Sequence, residues 1–440
     1  MRVVALFQCI YYNNKLLNSN AFEGFEMKKN LFTYIITLIC FLITLCGFLY
    51  VLKLRLDQSD LDAVYAKMAI EQAEAAAQAE AEAAARAEAE AAAAAASAEP
   101  TPTPEPTPTP EPEYYTLSVV GDLTLANRPN NSSYTNHVGD NYAYPLENVA
   151  EYLLNDEYTL GNLECTFSDS NLVYDYTQLF YFKAPSAYAN ILTEGGVDFV
   201  TTANNHTKDY YEAGQKDTRA ALEALGIPYG IENQAQIVET PNGIKLGIVC
   251  SGDHMRPDLS KDEILEGIRS LKEQGAEYII CCFHWGLELY YEPHENNQIK
   301  FGHECIDAGA DLIYGSHSHC LQPIEEYNGG IILYSMGNFS FGGNDMPSDP
   351  DTAIVQITLK RDIDGTVSAD GISSIPCCVS STPPPNPNNV KASAYNDYKP
   401  TPYEEGTEDY YRVISKLDGT FVPGKQGTDY SSYYASLSTG

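Results

Sequence analysis

The sequence predicts an α/β domain from about Tyr114 onward, preceded by a membrane-spanning helix and a stalk. Three observations predict it. Short β-rich runs alternate with helical patterns over the last three quarters of the chain. Leu31–Leu52 is uncharged and almost wholly apolar. Polar residues able to bind metals recur just after the β-rich runs.

Met27-Lys28-Lys29-Asn30 stands immediately before the apolar run and reads as a natural start, making residues 1–26 an extension. At 1.5 Å rise per residue, 31–52 is long enough to cross a bilayer. No small-residue cleavage site follows it, so it reads as a retained single-pass anchor. Lys28 and Lys29 before it and Lys53 and Arg55 after it give little orientation bias. The chemistry all lies C-terminal to the span, which places the N-terminus inside and the domain outside the cell. Residues 56–98 are dense in Ala and Glu, strong helix formers. Large apolar residues are missing from heptad positions after Met68, so a solvated helix is expected more than a stable coiled coil. Residues 99–113 repeat Thr-Pro and Glu-Pro, a semi-rigid polyproline-II linker.

In the domain, residues 114–382, strands are expected at Thr116–Val120, Tyr158–Leu163, Phe199–Thr202, Lys245–Cys250, Tyr278–Phe283, Asp311–Tyr314 and Ile331–Ser335. Helices are expected near Leu146–Leu154, Ser186–Glu194, Tyr211–Leu225, Lys261–Gln274 and Ile299–Ala308. Such alternation covers sheet faces with helices. Thr352–Lys360 and Thr366–Ile375 read as a terminal hairpin. The remainder, 383–440, reads as a loop and a docking helix at Tyr410–Leu417.

The formal net charge of -34 argues against nucleic acid or an anionic membrane face as a large contact surface. A small phosphorylated substrate stays compatible with it, because bound cations reverse the local field. The eleven cysteines show neither zinc-ribbon nor disulfide-scaffold spacing. Cys250, Cys281 and Cys282 lie in apolar runs, where a free thiol behaves as a small hydrophobe. A disulfide involving Cys377 or Cys378 stays open at this point.

Ligands of open α/β sheets collect beyond the strand ends. There the chain places Gly121-Asp122, Gly161-Asn162-Leu163-Glu164, Ala203-Asn204-Asn205-His206 with Asp209, His284-Trp285-Gly286 with Glu288, and Gly315-Ser316-His317-Ser318-His319. Each group alone has an ordinary reading as a turn, a helix cap or a hydrogen-bonded histidine. Together they form a mixed oxygen and nitrogen set able to hold two metal ions, unlike the cysteine-rich closed sites of structural zinc.

These motifs in this order, with Tyr334-Ser335-Met336-Gly337-Asn338-Phe339, resemble the CapA (poly-γ-glutamate capsule synthesis) family of the calcineurin-like metallophosphoesterase superfamily. The resemblance runs from about Leu117 to Phe341. It implies a metallophosphatase-like α/β/β/α sandwich and two divalent ions, manganese, zinc or iron. Carried over residue by residue, it implies Asp122 as a ligand near the centre and Glu164 as a bridging carboxylate. Asn205, His284 and His317 would serve the second metal and His319 the first. His206 would be the general acid, and Asn204, Arg128 and Lys183 would contact substrate. The chain departs from the superfamily pattern where Asp-x-His becomes Asp122-Leu123-Thr124. Ser316 and Ser318 also alter the His-x-His loop, and Tyr210-Tyr211 follows Asp209.

The resemblance implies a membrane-anchored protein of capsule or poly-γ-glutamate biosynthesis, acting as a metal-dependent hydrolase on an extracellular phosphoester or anionic polymer. Subunits of a polymer-synthase complex are the expected protein partners. The alternative is a noncatalytic accessory subunit that binds the polymer through the same pocket.

Overall fold

Strands form where the apolar runs fall, and their register brings the polar strand ends together. The computed structural model describes residues 111–252, 261–384 and 394–422. The anchor expected at 31–52 and the helix at 56–98 lie outside the described residues. So does the 99–113 linker up to residue 110. Among the described residues no helix is long and apolar enough to cross a membrane.

In chain order the first strands are β1 (Glu113–Thr124), β2 (Tyr158–Leu163), β3 (Thr166–Phe167), β4 (Lys183–Ala184), β5 (Phe199–Thr201), β6 (Tyr229–Gly230), β7 (Ala235–Glu239) and β8 (Lys245–Ser251). Then come β9 (Tyr278–His284), β10 (Leu312–Ser316), β11 (Ile324–Tyr327), β12 (Gly330–Leu333), β13 (Asn338–Phe341), β14 (Asp351–Arg361), β15 (Val367–Cys378) and β16 (Thr401–Pro402). The helices are α1 (Ser133–Val138), α2 (Ala150–Leu153), α3 (Asn190–Gly195), α4 (Tyr211–Ala224), α5 (Lys261–Glu273), α6 (Phe301–Asp307) and α7 (Glu408–Leu417).

One sheet runs β16-β15-β14-β1-β2-β5-β6, with β13 also pairing β1, and the other runs β11-β12-β10-β9-β8-β7. Strands β1, β2, β5 and β6 are parallel, as are β8, β9, β10 and β12. The two sheets share a core in which Leu117, Val119 and Leu160 meet Ile248, Ile280, Tyr314 and Val355. On the outer side of the first sheet, Val120, Leu123 and Leu163 pack with Tyr134, Leu192 and Leu222 from α1, α3 and α4. On the outer side of the second, Val249, Cys281 and Ile313 pack with Ile264, Ile268, Phe301 and Cys305 from α5 and α6. The result is a mixed α/β fold with apolar side chains on both faces of each sheet, as parallel strands require.

The strand at Tyr158–Leu163 has the bounds its apolar pattern gave, and all six residues are buried. The helix expected over Leu146–Leu154 is reduced to Ala150–Leu153. Upstream, Leu146 and Val149 donate backbone bonds three residues back, to Ala143 and Leu146. These tight turns still deliver Leu146, Val149 and Leu153 to the core, so the apolar spacing imitated a longer α-helix. The helix expected from Ile299 begins instead as a π-helix at Glu295–Lys300. Glu113, read as linker, opens β1, and Thr401–Pro402, read as loop, pairs with β15. The short strands β7, β11 and β13 have no counterpart among the expected strands. The eight cysteines of the described residues, Cys377 and Cys378 included, are buried free thiols.

At the edge opposite the polar cluster, Asp156 accepts from Thr159 Oγ1 at 2.6 Å. Burial pushes its carboxyl up to about 6 from 3.8, and the neighbouring Asp198 and Glu157 add to the rise. The folded-state value lies above the unfolded one. The charged form therefore costs stability, a cost that grows from about pH 4, is full above about pH 6 and vanishes where both states are protonated. Asp156→Asn should raise the thermal midpoint at about pH 8 and leave it nearly unchanged near pH 3, below both values. A scan at both pH values checks this; an equal rise at both would sink the burial argument.

Candidate metal centre

The parallel strands β1, β2, β5, β9 and β10 each contribute polar residues at their C-terminal ends. Asp122 and Thr124 lie at the end of β1, and Asn162 lies near the end of β2 with Glu164 just beyond. Asn205 and His206 follow β5, His284 ends β9, and His317 and His319 follow β10. Asn338 opens β13 in register with Asp122. A close backbone approach makes this possible: Asp122 N donates to Gly337 O at 2.8 Å. A Cβ at Gly121 would collide with the same carbonyl.

The cluster has two halves joined by Glu164. In the first, Asp122 Oδ2 lies 3.3 Å from His319 Nδ1, which is itself 2.9 Å from Asn338 Oδ1. Donor atoms of Asp122, Glu164 and His319 all lie within 4.8 Å of one another. In the second, His284 Nε2 is 2.8 Å from Asn205 Oδ1, 3.1 Å from His317 Nδ1 and 3.4 Å from Glu164 Oε1. The other ring nitrogen, His284 Nδ1, is held by Ser316 Oγ at 2.9 Å, an arrangement that orients a metal-ligating imidazole.

Two buried oxygens, Asp122 Oδ2 and Glu164 Oε1, have no hydrogen-bond partner among the described residues. Orphaned carboxylate oxygens in an interior are costly unless a cation or proton meets them. Burial and the Asp122 charge push Glu164 up to about 7. Burial opposes charge on His319, yet Glu164 and Asp122 outweigh it and hold the imidazole up at about 10. A centre that draws protons this strongly attracts divalent cations for the same reason. Oxygen and imidazole donors suit first-row ions, so this donor set fits a divalent metal.

His317 and His319 both have backbone φ in the left-handed region, at 92° and 52°. Non-glycine residues adopt it at a cost, and two in one loop mark a segment shaped for its side chains. His206 is buried beside the cluster. Its Nδ1 meets Asp209 Oδ2 at 2.9 Å, and that carboxylate is fixed by Phe182 N at 2.8 Å. Burial opposes charge on this imidazole as well, while Asp209 and Glu164 raise its pKa.

The structure therefore brings together Asp122, Glu164, Asn205, His284, His317 and His319, with His206 alongside. The three residues expected to contact substrate each have partners within the chain. Asn204 Nδ2 donates to Asn162 Oδ1 at 3.0 Å and Leu163 O at 2.8 Å, and its Oδ1 caps His206 N. Lys183 Nζ is held by the carbonyls of Ser168 and Ser170 at 3.1 and 3.2 Å. Arg128 pairs with Asp345 at 3.3 Å. Sequence reasoning did not assign Asn162, which donates to Asp122 Oδ1 at 2.8 Å, or Asn338. Thr124 was also missed. It stands where Asp-x-His would place a histidine, and its hydroxyl donates to Glu164 Oε2 at 3.0 Å. Membership of the GNLE and GNF motifs was the available signal for the two asparagines.

A family model described as "Bacterial capsule synthesis protein PGA_cap" matches residues 116–343. Among curated proteins, the capsule biosynthesis protein CapA of Bacillus anthracis is 28% identical over 272 residues, 56% of this chain and 64% of that protein. The PGA biosynthesis protein CapA of Bacillus subtilis is 26% identical over 223 residues, 47% of this chain and 58% of that protein. The chain thus spans less than two thirds of the length of either relative. Among solved structures, the calcineurin-like phosphoesterase YfkN of Bacillus subtilis aligns at 14% identity with a TM-score of 0.37, covering 65% of this chain and 94% of that one. An overlap of that score adds nothing to the strand order described above.

Proposed function

The chain belongs to the family of bacterial capsule synthesis proteins described as PGA_cap, and from that premise we propose that it serves poly-γ-glutamate or related capsule biosynthesis through a two-metal phosphoesterase-type site. The observation that carries the reading is the pair of buried carboxylate oxygens, Asp122 Oδ2 and Glu164 Oε1, orphaned among three histidines and two asparagines.

In this reading Asp122, Glu164 and His319 would hold one ion, and Asn205, His284 and His317 would hold another. Divalent ions in such a set supply Lewis acidity toward a phosphoryl group. The chain's own residues do the rest. Asp209 accepts from His206 Nδ1 and favours the imidazolium, whose Nε2 proton can then pass to the departing oxygen. Asn204 braces the turn that carries Asn205 and His206. Ser316 and Asn162 keep the His284 and Asp122 side chains turned toward the centre. The segment at 31–52 anchors the protein in the membrane, with the domain outside the cell beside polymer-synthase subunits.

A second reading, a noncatalytic polymer-binding accessory, is favoured by Thr124. Its hydroxyl satisfies Glu164 Oε2 at a position where a histidine would add a ligand.

The test is metal content and phosphodiester hydrolysis of the full-length protein. With an intact site, His206→Gln should keep its metal and lose turnover of a chromogenic phosphodiester by about 10²–10³-fold, the scale of general acid catalysis. Wild-type protein that takes up no manganese, zinc or iron removes the metal reading. Protein that binds metal and turns over nothing favours the accessory role.

A further inference from the structure

The loop from Asn171 to Phe182 is fastened to the turn that carries His206. Asp175 N donates to Asp209 O, and Phe182 N to Asp209 Oδ2, both at 2.8 Å. Asp209 is the residue that meets His206 Nδ1, and the Phe182 ring centre lies 4.6 Å from that of the imidazole. Asp175 and Gln178 of the loop also line an open cleft of about 450 Å³ together with Asn205 of the cluster.

This loop carries four large apolar side chains out of the fold. Tyr176 and Leu179 are 72% and 81% exposed, and Val173 and Phe180 are exposed as well. None of the four belongs to the apolar cores of the described residues. They stand on a packed base: the Tyr174 ring lies 4.7 Å from that of Tyr176 and stacks on Tyr181 at 4.1 Å, and Tyr181 meets Tyr210 edge-on. Apolar side chains exposed together in this way mark a binding surface. Asp175 is the one charged residue from Asn171 to Phe182, in a chain of net charge -34, so the occupant of this surface is uncharged. The cleft below is lined by charges of both signs, Asp175 and Glu232 with Lys208 and Arg219, and selects neither.

We propose that the loop is the apolar subsite of the candidate centre, seating the hydrocarbon group of a phosphoester whose phosphoryl end lies at the metal-ligand cluster. The inference rests on the reading of that cluster as a phosphoesterase-type centre, and it adds the substrate class, an amphiphilic phosphoester. The loop borders the cluster on the His206 side, so the apolar group belongs to the alcohol that departs. Water adds its oxygen to phosphorus, and the P–O bond to the alcohol breaks with its electron pair on the departing oxygen. That oxygen takes the His206 Nε2 proton. A proton of the attacking water restores the imidazolium, and phosphate and the apolar alcohol are released.

Phosphate release from butyl and octyl phosphate, by metal-loaded full-length protein in one detergent, tests the proposal. Octyl phosphate should show a kcat/KM on the order of tenfold higher, the scale of four methylenes partly removed from water. Leu179→Ser/Phe180→Ser should reduce that preference to about twofold or less and leave butyl phosphate turnover as in wild type. Butylphosphonate and octylphosphonate, which resist hydrolysis, should show the same preference in binding and the same loss of it in the variant. A wild type that prefers neither chain length, in turnover and in binding, overturns the proposal, and so does a variant whose preference is unchanged. A variant altered in oligomeric state alone assigns the patch to a second copy of the chain and overturns it too. Absent turnover with the binding preference intact counts against the cluster as a reacting centre and leaves the apolar subsite standing.

Discussion

Asp122→Asn is expected to abolish the rise in thermal midpoint that divalent metal gives the wild-type protein. The asparagine carbonyl can still accept from Asn162 Nδ2, the bond that Asp122 Oδ1 now makes at 2.8 Å. What disappears is a buried negative charge whose other oxygen has no hydrogen-bond partner and which repels Glu164. Removing that charge relieves one of the two causes that hold Glu164 up at about 7, and it also removes an attraction that keeps His319 charged, so in the stripped protein the two effects oppose one another. The same charge is the strongest attraction for a cation in its half of the cluster. Metal that binds only the folded state at about a hundred times its dissociation constant stabilises by about 2.7 kcal/mol. The variant should show none of this. Thermal scans of stripped protein with and without manganese, paired with metal analysis, make the comparison. A variant whose midpoint still climbs with metal would remove Asp122 from the ligand set.

The second large effect lies away from the site. Lys416 of α7 is 2% exposed, and its ammonium touches both oxygens of Asp349 and one of Asp351, each at 2.7 Å. Arg412 grips the same Asp351 through two bonds, at 2.7 and 2.6 Å. Burial alone would raise both acids. Lys416 and Arg412 outweigh burial at Asp351, which is held below its usual range, whereas Asp349 stays above its own. Lys416→Met leaves Asp349 buried without a cation and should cost about 3–5 kcal/mol, the scale of breaking a buried pair. Denaturant titration reads the loss. Adding Asp349→Asn should recover much of it, because the uncompensated charge goes with it. The deficit should also narrow as the pH falls, since a carboxyl whose folded-state pKa is raised is relieved by protonation. A variant as stable as wild type, or a deficit that widens in acid, would show that α7 is not held by this ion network.

How legible these features were depended on the range of the physics behind them. Strand β2 and most of β9 could be read because every residue in them is buried, and continuous burial writes an apolar run into the chain. The span Leu146–Leu154 misled because tight turns and α-helix place apolar residues at overlapping spacings. Asp122, Glu164, Asn205, His284, His317 and His319 could be named because each sits in a short motif after a strand. Nothing local marked Lys183 as bound to the Ser168 and Ser170 carbonyls, or Arg128 as paired with Asp345 more than two hundred residues away. The left-handed backbone of His317 and His319 was also hidden, since neither is glycine.

The sequence by itself determined the α/β alternation, the order of the polar strand ends and the donor chemistry they carry, since side-chain type and hydrophobic period are local properties. Only the tertiary structure decided which donors converge. It set Glu164 between two groups of candidate ligands and filled the place of a missing histidine with the Thr124 hydroxyl. Those outcomes depend on strand register and on which charges find partners across the fold, and both are settled by packing between residues far apart in the chain.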